Sequence, residues 1–258
     1  MEKSALEQLN QAVQAALREA RATVLAKMGT TLTVAEKTSR RDLVTNVDHS
    51  NEDFLVAQIR RLDPQAHILA EEGRGDRVTT MAGHVWIVDP IDGTMNFVHQ
   101  RNHFAMMIGY YVDGQPTLGY IYDVMGERLY AGGPRVGVTV NGRPLKAPEN
   151  LDLTQGLFGA SAPLLIENRY QMQAIVAQSL GPRITGSAGI QISQVLTGEL
   201  IAYCSYLRPW DFAAGRVLAE SLGLVMTQVD GTPVNMLSSG AVLVATQRAS
   251  RTILAIGK

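Results

Sequence analysis

The hydrophobic residues near the start of the chain recur at intervals of three and four. Leu6, Leu9, Val13 and Leu17 follow this spacing, which is typical of an amphipathic helix that lays one face on a core. The spacing predicts a long N-terminal helix whose apolar stripe serves packing. A second helix is predicted over residues 51–62, where an Asp-Pro pair closes the pattern.

Short apolar runs follow this helical stretch, and their pattern is that of β-strands. The predicted strands are 67–70, 84–88, 104–112, 117–122, 128–131 and 136–140. The dipeptides Asp113-Gly114 and Asn141-Gly142 are tight-turn signals. The last four runs therefore predict an antiparallel meander.

Strands and helices alternate after a connector at residues 148–153. The predicted strands are 156–161, 200–205 and 242–245, and the predicted helices are 165–178, 186–196, 209–223 and 248–256. Pro209 suits a first helical turn and Gly223 a helix end. We expect one α/β domain over residues 1–258, with one lobe at about 1–148 and the other at about 149–258.

The composition of the chain limits the classes of function that it can have. With 258 residues, of which 46% are hydrophobic, the chain can bury a large core. The net charge is −1, and the only adjacent basic pairs are Arg40-Arg41 and Arg60-Arg61, which gives little support to nucleic-acid binding. The single cysteine, Cys204, excludes an internal disulfide and fits a reducing compartment. Because the sequence has no signal-peptide pattern and no long apolar run, we expect a cytoplasmic protein without a membrane partner.

The segment DPIDGTMNF at residues 89–97 is the strongest candidate for chemistry. A turn built from Asp, Pro and Gly is ordinary after a strand, and this structural interpretation stays open. The turn does not require two acids, however. Asp89, Asp92 and the Ile91 carbonyl can converge on one point, and three oxygen ligands suit Mg²⁺.

Further acids occupy similar places along the chain. Asp48 lies where an apolar run enters a helix, Glu71-Glu72 follows a predicted strand, and Asp211 lies in the first turn of a predicted helix. Asp211 has a structural alternative, since an acid in the first turn of a helix favours the helix dipole. Glu72 suits a solvated acid, or one that supports a ligand, better than a ligand. Gathering several acids is costly unless a cation compensates them. The set therefore indicates a metal site.

Taken together, these segments resemble the inositol monophosphatase family of metal-dependent, lithium-sensitive phosphatases. The matching pieces, in the order and spacing of the family from about residue 5 onward, are 42–48, Glu71-Glu72, 89–99, Gly186-Ser187-Ala188 and 210–215. The resemblance implies the sugar-phosphatase fold, a layered αβαβα sandwich with the metals between two lobes. It also implies a homodimer.

The resemblance further implies roles for individual residues. Glu71, Asp89 and the Ile91 carbonyl would hold a first Mg²⁺, and Asp89, Asp92 and Asp211 a second, with about two or three Mg²⁺ ions per active site. Thr94, paired with Asp48, would orient the attacking water together with Glu71 as general base. The implied substrate contacts are Asp92, Gly93, Thr94, Gly186, Ser187, Ala188 and Asp211. A mobile loop of the family maps to residues 37–41, from which Lys37 would approach the metal site.

The sequence does not decide among several substrates. Relatives that act on inositol monophosphate carry a glutamate about seven residues before the aspartate of the Trp-Asp pair, and here Cys204 or Ser205 occupies that place. We expect hydrolysis of inositol 1-phosphate or a related small sugar or polyol phosphate. Fructose 1,6-bisphosphate, 3′-phosphoadenosine nucleotides and NADP are alternatives. An alternative of another class is a non-catalytic, metal-binding regulatory partner protein.

Overall fold

Two β-sheets, one of seven strands and one of five, form the frame of the protein. The computed structural model describes residues 2–40 and 42–257. The helices are α1 (Lys3–Met28), α2 (Asn46–Leu62), α3 (Thr94–His99), α4 (Ala162–Ile166), α5 (Met172–Gln178), α6 (Ala188–Thr197), α7 (Pro209–Ser221) and α8 (Gln247–Ile256). The strands are β1 (Val34–Ser39), β2 (Asp42–Thr45), β3 (His67–Ala70), β4 (His84–Asp92), β5 (Ala105–Val112), β6 (Gln115–Asp123), β7 (Arg128–Gly133), β8 (Gly137–Val140), β9 (Arg143–Pro144), β10 (Phe158–Ala160), β11 (Pro182–Arg183), β12 (Ala202–Leu207), β13 (Val225–Gln228) and β14 (Gly240–Ala245).

The sheets and helices stack in five layers. The helices α1 and α2 cover one face of the seven-stranded sheet, whose order is β3-β4-β5-β6-β7-β8-β9. The helices α6 and α7 lie between its other face and the five-stranded sheet, whose order is β11-β10-β12-β14-β13. The helices α4, α5 and α8 cover the outer face of that second sheet. The predicted αβαβα sandwich is confirmed.

The meander prediction is also confirmed, since β5, β6, β7 and β8 pair in antiparallel order. The seven-stranded sheet ends before residue 148 and the five-stranded sheet begins after it, but the division into two lobes at that residue stays a prediction. Among the described residues, no helix combines the length and the apolar character that crossing a membrane requires.

The helix α2 begins five residues before the predicted start. Thr45 is its N-cap and accepts hydrogen bonds from the backbone N–H groups of Val47 and Asp48, while the Asp48 carboxylate accepts one from the Thr45 N–H. This reciprocal capping satisfies N–H groups that a helix start otherwise leaves unpaired. It also directs Asp48 into the protein, where it is buried.

The single helix predicted over residues 165–178 is wrong. The structure has two short helices there, α4 and α5, because Asn168, Tyr170 and Gln171 adopt left-handed backbone angles, with φ of 51°, 55° and 56°. Consecutive helical hydrogen bonds cannot pass through such residues. The antiparallel pair β1–β2 and the edge strand β13 were not predicted either.

Candidate active site

The end of strand β4 carries two carboxylates into one pocket. β4 pairs with β5 in regular antiparallel order up to Asp89, and the register becomes irregular between Asp89 and Asp92. Both aspartates line a pocket of about 180 Å³ together with Glu71, Ile91 and Asp211. The strand β4 and the helix α7, far apart in sequence, thus meet at one point.

Three carboxylates converge closely in this pocket. Oxygen atoms of Asp89, Asp92 and Asp211 lie within 4.8 Å of one another. Burial and then the neighbouring charges, Glu71 first, raise the pKa of Asp89 well above its usual range. Burial and then the charge of Asp92 raise the pKa of Asp211 in the same way. Such a desolvated set of hard oxygen donors fits a divalent cation, since the cation would compensate the repulsion.

Asp92 also holds the N-terminus of helix α6. Its carboxylate accepts hydrogen bonds from the backbone N–H groups of Ala188 at 3.0 Å and Gly189 at 2.8 Å, and from the Ser187 hydroxyl. Burial raises the pKa of Asp92 to about 6, while these bonds oppose the shift. The Ser187 hydroxyl in turn accepts from the Ile190 N–H at 3.2 Å. Ser187 is therefore an N-cap and a contact of a pocket carboxylate at once.

Asp211 has a structural bond as well as a place in the pocket. It lies in the first turn of α7, which begins with Pro209, and its carboxylate accepts a hydrogen bond from the Arg208 backbone N–H at 2.7 Å. This bond leaves a second carboxylate oxygen for the pocket. The Asp211 side chain thus stabilises the start of α7, as expected, and also converges with Asp89 and Asp92.

The predicted pair of Thr94 and Asp48 is present. The Thr94 hydroxyl lies 3.0 Å from Asp48 Oδ1 and 3.1 Å from the Ile91 carbonyl oxygen, both of which can accept its proton. Burial raises the pKa of Asp48, and hydrogen bonds from Thr45 and Thr94 oppose that shift.

Gly93, just before Thr94, has φ of 91°, and a Cβ there would lie 3.0 Å from the Ser187 Cβ. A glycine is therefore required at the start of α3.

Lys37 lies against the acids that follow strand β3. Its Nζ donates to Glu71 Oε1 at 3.0 Å and also to Glu72. Burial alone would lower the pKa of Lys37, but the charges and hydrogen bonds of these two glutamates outweigh it and raise the pKa. Burial raises the pKa of Glu72 to about 7, against the hydrogen bond from Lys37. The predicted loop 37–41 begins with this lysine, and its last residue, Arg41, lies outside the described residues.

Sequence reasoning missed Glu52, which holds the loop after β3. Its side chain is fully buried in α2, and its carboxylate accepts hydrogen bonds from the backbone N–H groups of Glu72 and Arg74, each at 2.7 Å. Glu52 lies four residues after Asp48, so both acids share one face of α2. The sequence signal that could have identified Glu52 is an acid within the apolar face of a predicted helix.

Two asparagines also hold the site together. Asn51 donates from Nδ2 to the Pro90 carbonyl at 2.8 Å, which fixes the turn between the two β4 aspartates. Asn96 donates from Nδ2 to the carbonyl groups of His103 and Thr185, each at 2.8 Å. The second of these bonds joins the turn of the Asp89 segment to the segment that precedes α6. Asn96 belongs to the 89–97 segment, but its partners are backbone carbonyl groups, one of them 89 residues away, and backbone groups give no sequence signal.

A larger cavity of about 610 Å³ adjoins the carboxylates and shares Asp92 and Asp211 with them. Side chains of strand β12 alternate across its sheet, so Ser205 lines this cavity, whereas Cys204 packs in the apolar cluster on the opposite face. The structure thereby places Ser205, and not Cys204, at the wall where the family glutamate was sought. Gly186, Ser187 and Ala188 line the same cavity.

Comparison with known proteins identifies one family. The model of the inositol monophosphatase family matches residues 5–256. The inositol-1-monophosphatase of Bacillus subtilis is 37% identical over 242 residues, which cover 92% of this chain and 91% of that protein.

Solved structures agree in fold. A crystal structure of an IMPase/NADP phosphatase complexed with Mg²⁺ and phosphate has a TM-score of 0.90 at 29% identity, covering 97% of this chain and 95% of that one. A lithium chloride-soaked inhibitory complex of staphylococcal inositol monophosphatase-1 has a TM-score of 0.90 at 28% identity, covering 97% of this chain and 94% of that one.

Proposed function

Because the chain belongs to the inositol monophosphatase family and is a phosphoric monoester hydrolase, we propose that it uses Mg²⁺ to hydrolyse inositol 1-phosphate or a related small polyol or sugar phosphate. The observation that carries this proposal is the convergence of Asp89, Asp92 and Asp211 within 4.8 Å. A relative of similar fold holds Mg²⁺ and phosphate. Glu71 and the Ile91 carbonyl, on the wall of the same pocket, would complete the oxygen ligands for about two or three ions.

The reaction is the displacement of an alcohol from phosphorus by water. The water oxygen forms a bond to phosphorus, the ester P–O bond breaks, and the departing oxygen takes up a proton. Bound Mg²⁺ would supply positive charge against the phosphoryl oxygens and lower the pKa of a water. The products are the free alcohol and inorganic phosphate.

The residues around the pocket would position and deprotonate the attacking water. The proton of the Thr94 hydroxyl is directed to Asp48 and the Ile91 carbonyl, so the lone pairs of Thr94 Oγ1 are available to accept from a water. Glu71, at the same pocket, would take the proton of that water. A positioned general base of this kind contributes about 10²–10⁴ in rate.

The phosphate and the alcohol would occupy neighbouring parts of the site. Gly93 and Thr94 begin a turn of helix whose N–H groups are available for phosphate oxygens. Gly186, Ser187 and Ala188 line the cavity next to the carboxylates, where the alcohol part of the substrate would lie. Asp92 and Asp211 border both spaces and would contact the substrate from the metal side.

The association and location of the protein are also proposals. A homodimer is supported by exposed hydrophobic side chains near the short edge strand β11, among them Leu180, of which 65% is exposed. A cytoplasmic location is supported by the single buried thiol. A net charge of −1 supports the expectation that nucleic acid is not a partner.

Phosphate release from glycerol 2-phosphate, measured with several millimolar Mg²⁺ and again in EDTA, tests the proposal. We expect release that depends on Mg²⁺ and is abolished by Asp89→Asn, since this change removes charge from the centre of the cluster. Mg²⁺ at about 100 times its dissociation constant should also stabilise the fold by about 2.7 kcal/mol. A protein whose melting temperature rises with Mg²⁺ but which releases no phosphate would favour the regulatory, non-catalytic alternative.

A further inference from the structure

A cavity of about 390 Å³ lies against helix α1, outside the carboxylate pocket. Apolar side chains of α1 and of the end of α2 form much of its wall, namely Ala5, Leu9, Ala12 and Leu62. Asp63, His84 and Tyr110 form its polar part. His84 begins β4, whereas Asp89 lies near the end of the same strand, so the cavity is separated from the carboxylates by about 16 Å of strand.

Asp63 supplies the negative charge of this cavity. It is the C-cap of α2 and is buried. Its carboxylate accepts a hydrogen bond from Trp86 Nε1 at 2.9 Å and lies 2.9 Å from Nδ1 of His84. Because a carboxylate only accepts, Nδ1 carries the proton, and Nε2 of the neutral His84 ring is left as an acceptor. The wall of the cavity therefore combines one negative charge with a further acceptor atom.

Tyr110 brings to the cavity a hydroxyl group that the protein does not satisfy. Its ring stacks on Trp86 with the centroids 4.1 Å apart, and the residue is fully buried. Among the described residues, its hydroxyl oxygen has no hydrogen-bond partner. Burial and then the charge of Asp63 raise the pKa of Tyr110, so the hydroxyl keeps its proton. A buried hydroxyl without a partner is unfavourable, and a ligand in this cavity would supply the missing partner.

The charges around the cavity decide the class of ligand. Within the described part of the chain, no lysine or arginine lines it. An anion such as phosphate would meet repulsion from Asp63, whereas an ammonium ion would be attracted. An ammonium group has three hydrogens to donate, and Asp63, Nε2 of His84 and the Tyr110 oxygen can each accept one. The apolar side chains that α1 contributes suit a hydrocarbon chain or ring next to the charge.

We propose that this cavity is a second ligand site, which binds a primary ammonium ion carried on an apolar chain or ring. The proposal is independent of the phosphatase function, because the cavity shares no lining residue with the carboxylate pocket. The ligand would contact the end of α2 and the start of β4. Both elements also carry acids of the candidate active site, Asp48 and Glu52 on α2, and Asp89 and Asp92 on β4.

Isothermal titration calorimetry with 2-phenylethylamine tests the proposal. The titration contains saturating Mg²⁺, so that the carboxylates of the active site are occupied and do not attract the amine. We expect saturable binding that is at least about tenfold tighter than that of 2-phenylethanol, which has the same shape without the charge. The anion 3-phenylpropionate should not bind. An amine that binds no tighter than the alcohol or the anion would overturn the proposal.

Substitutions show whether the amine lies in this cavity. Ala12→Phe fills the space from a half-buried position of α1 and should abolish binding, whereas Ala15→Phe, at an exposed position of the same helix, should keep the wild-type affinity. Tyr110→Phe should lower the affinity for the amine by about tenfold. Its matched control is Tyr120→Phe, because Tyr120 is equally buried, its hydroxyl likewise has no partner in the described part of the chain, and it does not line the cavity.

The stability of the free protein separates a ligand site from a structural role of the Tyr110 hydroxyl. Tyr110→Phe should leave the melting temperature without ligand unchanged or raise it, because no hydrogen bond within the protein is lost. The amine should raise the melting temperature of the wild type more than that of this variant. The proposal would be overturned by amine binding that survives Ala12→Phe, or by equal losses of affinity in Tyr110→Phe and Tyr120→Phe. A Tyr110→Phe protein that melts lower and binds the amine as tightly as the wild type would also overturn it.

Discussion

Replacing Glu52 should weaken Mg²⁺ binding without unfolding the protein. Its carboxylate accepts two backbone hydrogen bonds at 2.7 Å from the loop that carries Glu71 and Glu72. In Glu52→Gln one oxygen still accepts, but the amide NH₂ faces the other N–H, so one charge-assisted bond is lost and the loop shifts. Residues that orient metal ligands typically change metal affinity or activity by about 10- to 100-fold when replaced. We expect the Mg²⁺ concentration for half-maximal activity to rise by that factor.

The effect of this substitution on global stability should be smaller. Loss of a hydrogen bond to a charged group costs about 1.5–3 kcal/mol. Against this, burial raises the pKa of Glu52, and the bonds from Glu72 and Arg74 oppose the shift only in part. A neutral glutamine avoids that desolvation, so the free energy of unfolding should fall by no more than about 2 kcal/mol.

The assay is a Mg²⁺ titration of activity, with chemical denaturation in EDTA as the measure of stability. Asp53→Asn is the matched control, because Asp53 is the next residue of α2 and is largely exposed, with its carboxylate 3.5 Å from the Arg74 guanidinium. Exposed pairs of this kind contribute about 0–1 kcal/mol, so the control should keep the wild-type Mg²⁺ dependence. A folded Glu52→Gln with wild-type kcat and Mg²⁺ dependence would refute the reasoning.

Three further predictions concern the pocket. Ser205→Glu should raise the kcat/KM ratio of inositol 1-phosphate to glycerol 2-phosphate by about tenfold, the value of a charge-assisted hydrogen bond, and an unchanged ratio would contradict the placement of that side chain. Cys204→Glu instead buries an unpaired charge and should destabilise the protein by about 3 kcal/mol or more. In EDTA, the stability that Asp92 contributes by taking up a proton should be fully present below its usual pKa near 3.8 and should be lost as pH rises through about 6. Asp92→Asn should therefore reduce the pH dependence of the melting temperature between pH 4 and 7.5. An identical pH profile in both proteins would exclude the pKa shift. Li⁺ at millimolar concentration should inhibit phosphate release relative to Na⁺ at equal ionic strength, as the likeness to a lithium-soaked inhibitory complex suggests; activity unaffected by Li⁺ would place the chain among lithium-insensitive phosphatases.

The regular elements of the fold could be predicted because their signals are local. The apolar stripe of α1 and the tight turns of the meander each lie within a short stretch of sequence. The break between α4 and α5 could not be predicted in this way. Asn168, Tyr170 and Gln171 adopt left-handed angles, and neither tyrosine nor glutamine signals such a conformation.

The candidate site was predictable to the extent that its residues form a contiguous motif. Asp89, Asp92 and Thr94 occur in a single short segment, and their placement at one pocket agrees with the prediction. Their roles in metal binding and catalysis stay predictions. Glu52 was missed because its partners are backbone N–H groups of another segment, which leave no mark in sequence. The choice between Cys204 and Ser205 likewise depended on which face of β12 each occupies.

Labelling of the single cysteine can measure how often the five-stranded sheet opens. Cys204 is fully buried between the five-stranded sheet and its outer helices, and burial raises the pKa of the thiol to about 12. A thiol in this state does not react with a disulfide reagent until the sheet opens. The rate of labelling of the unmodified chain therefore measures how often the second sheet is exposed, and a ligand that joins Asp92 to Asp211 should slow that rate.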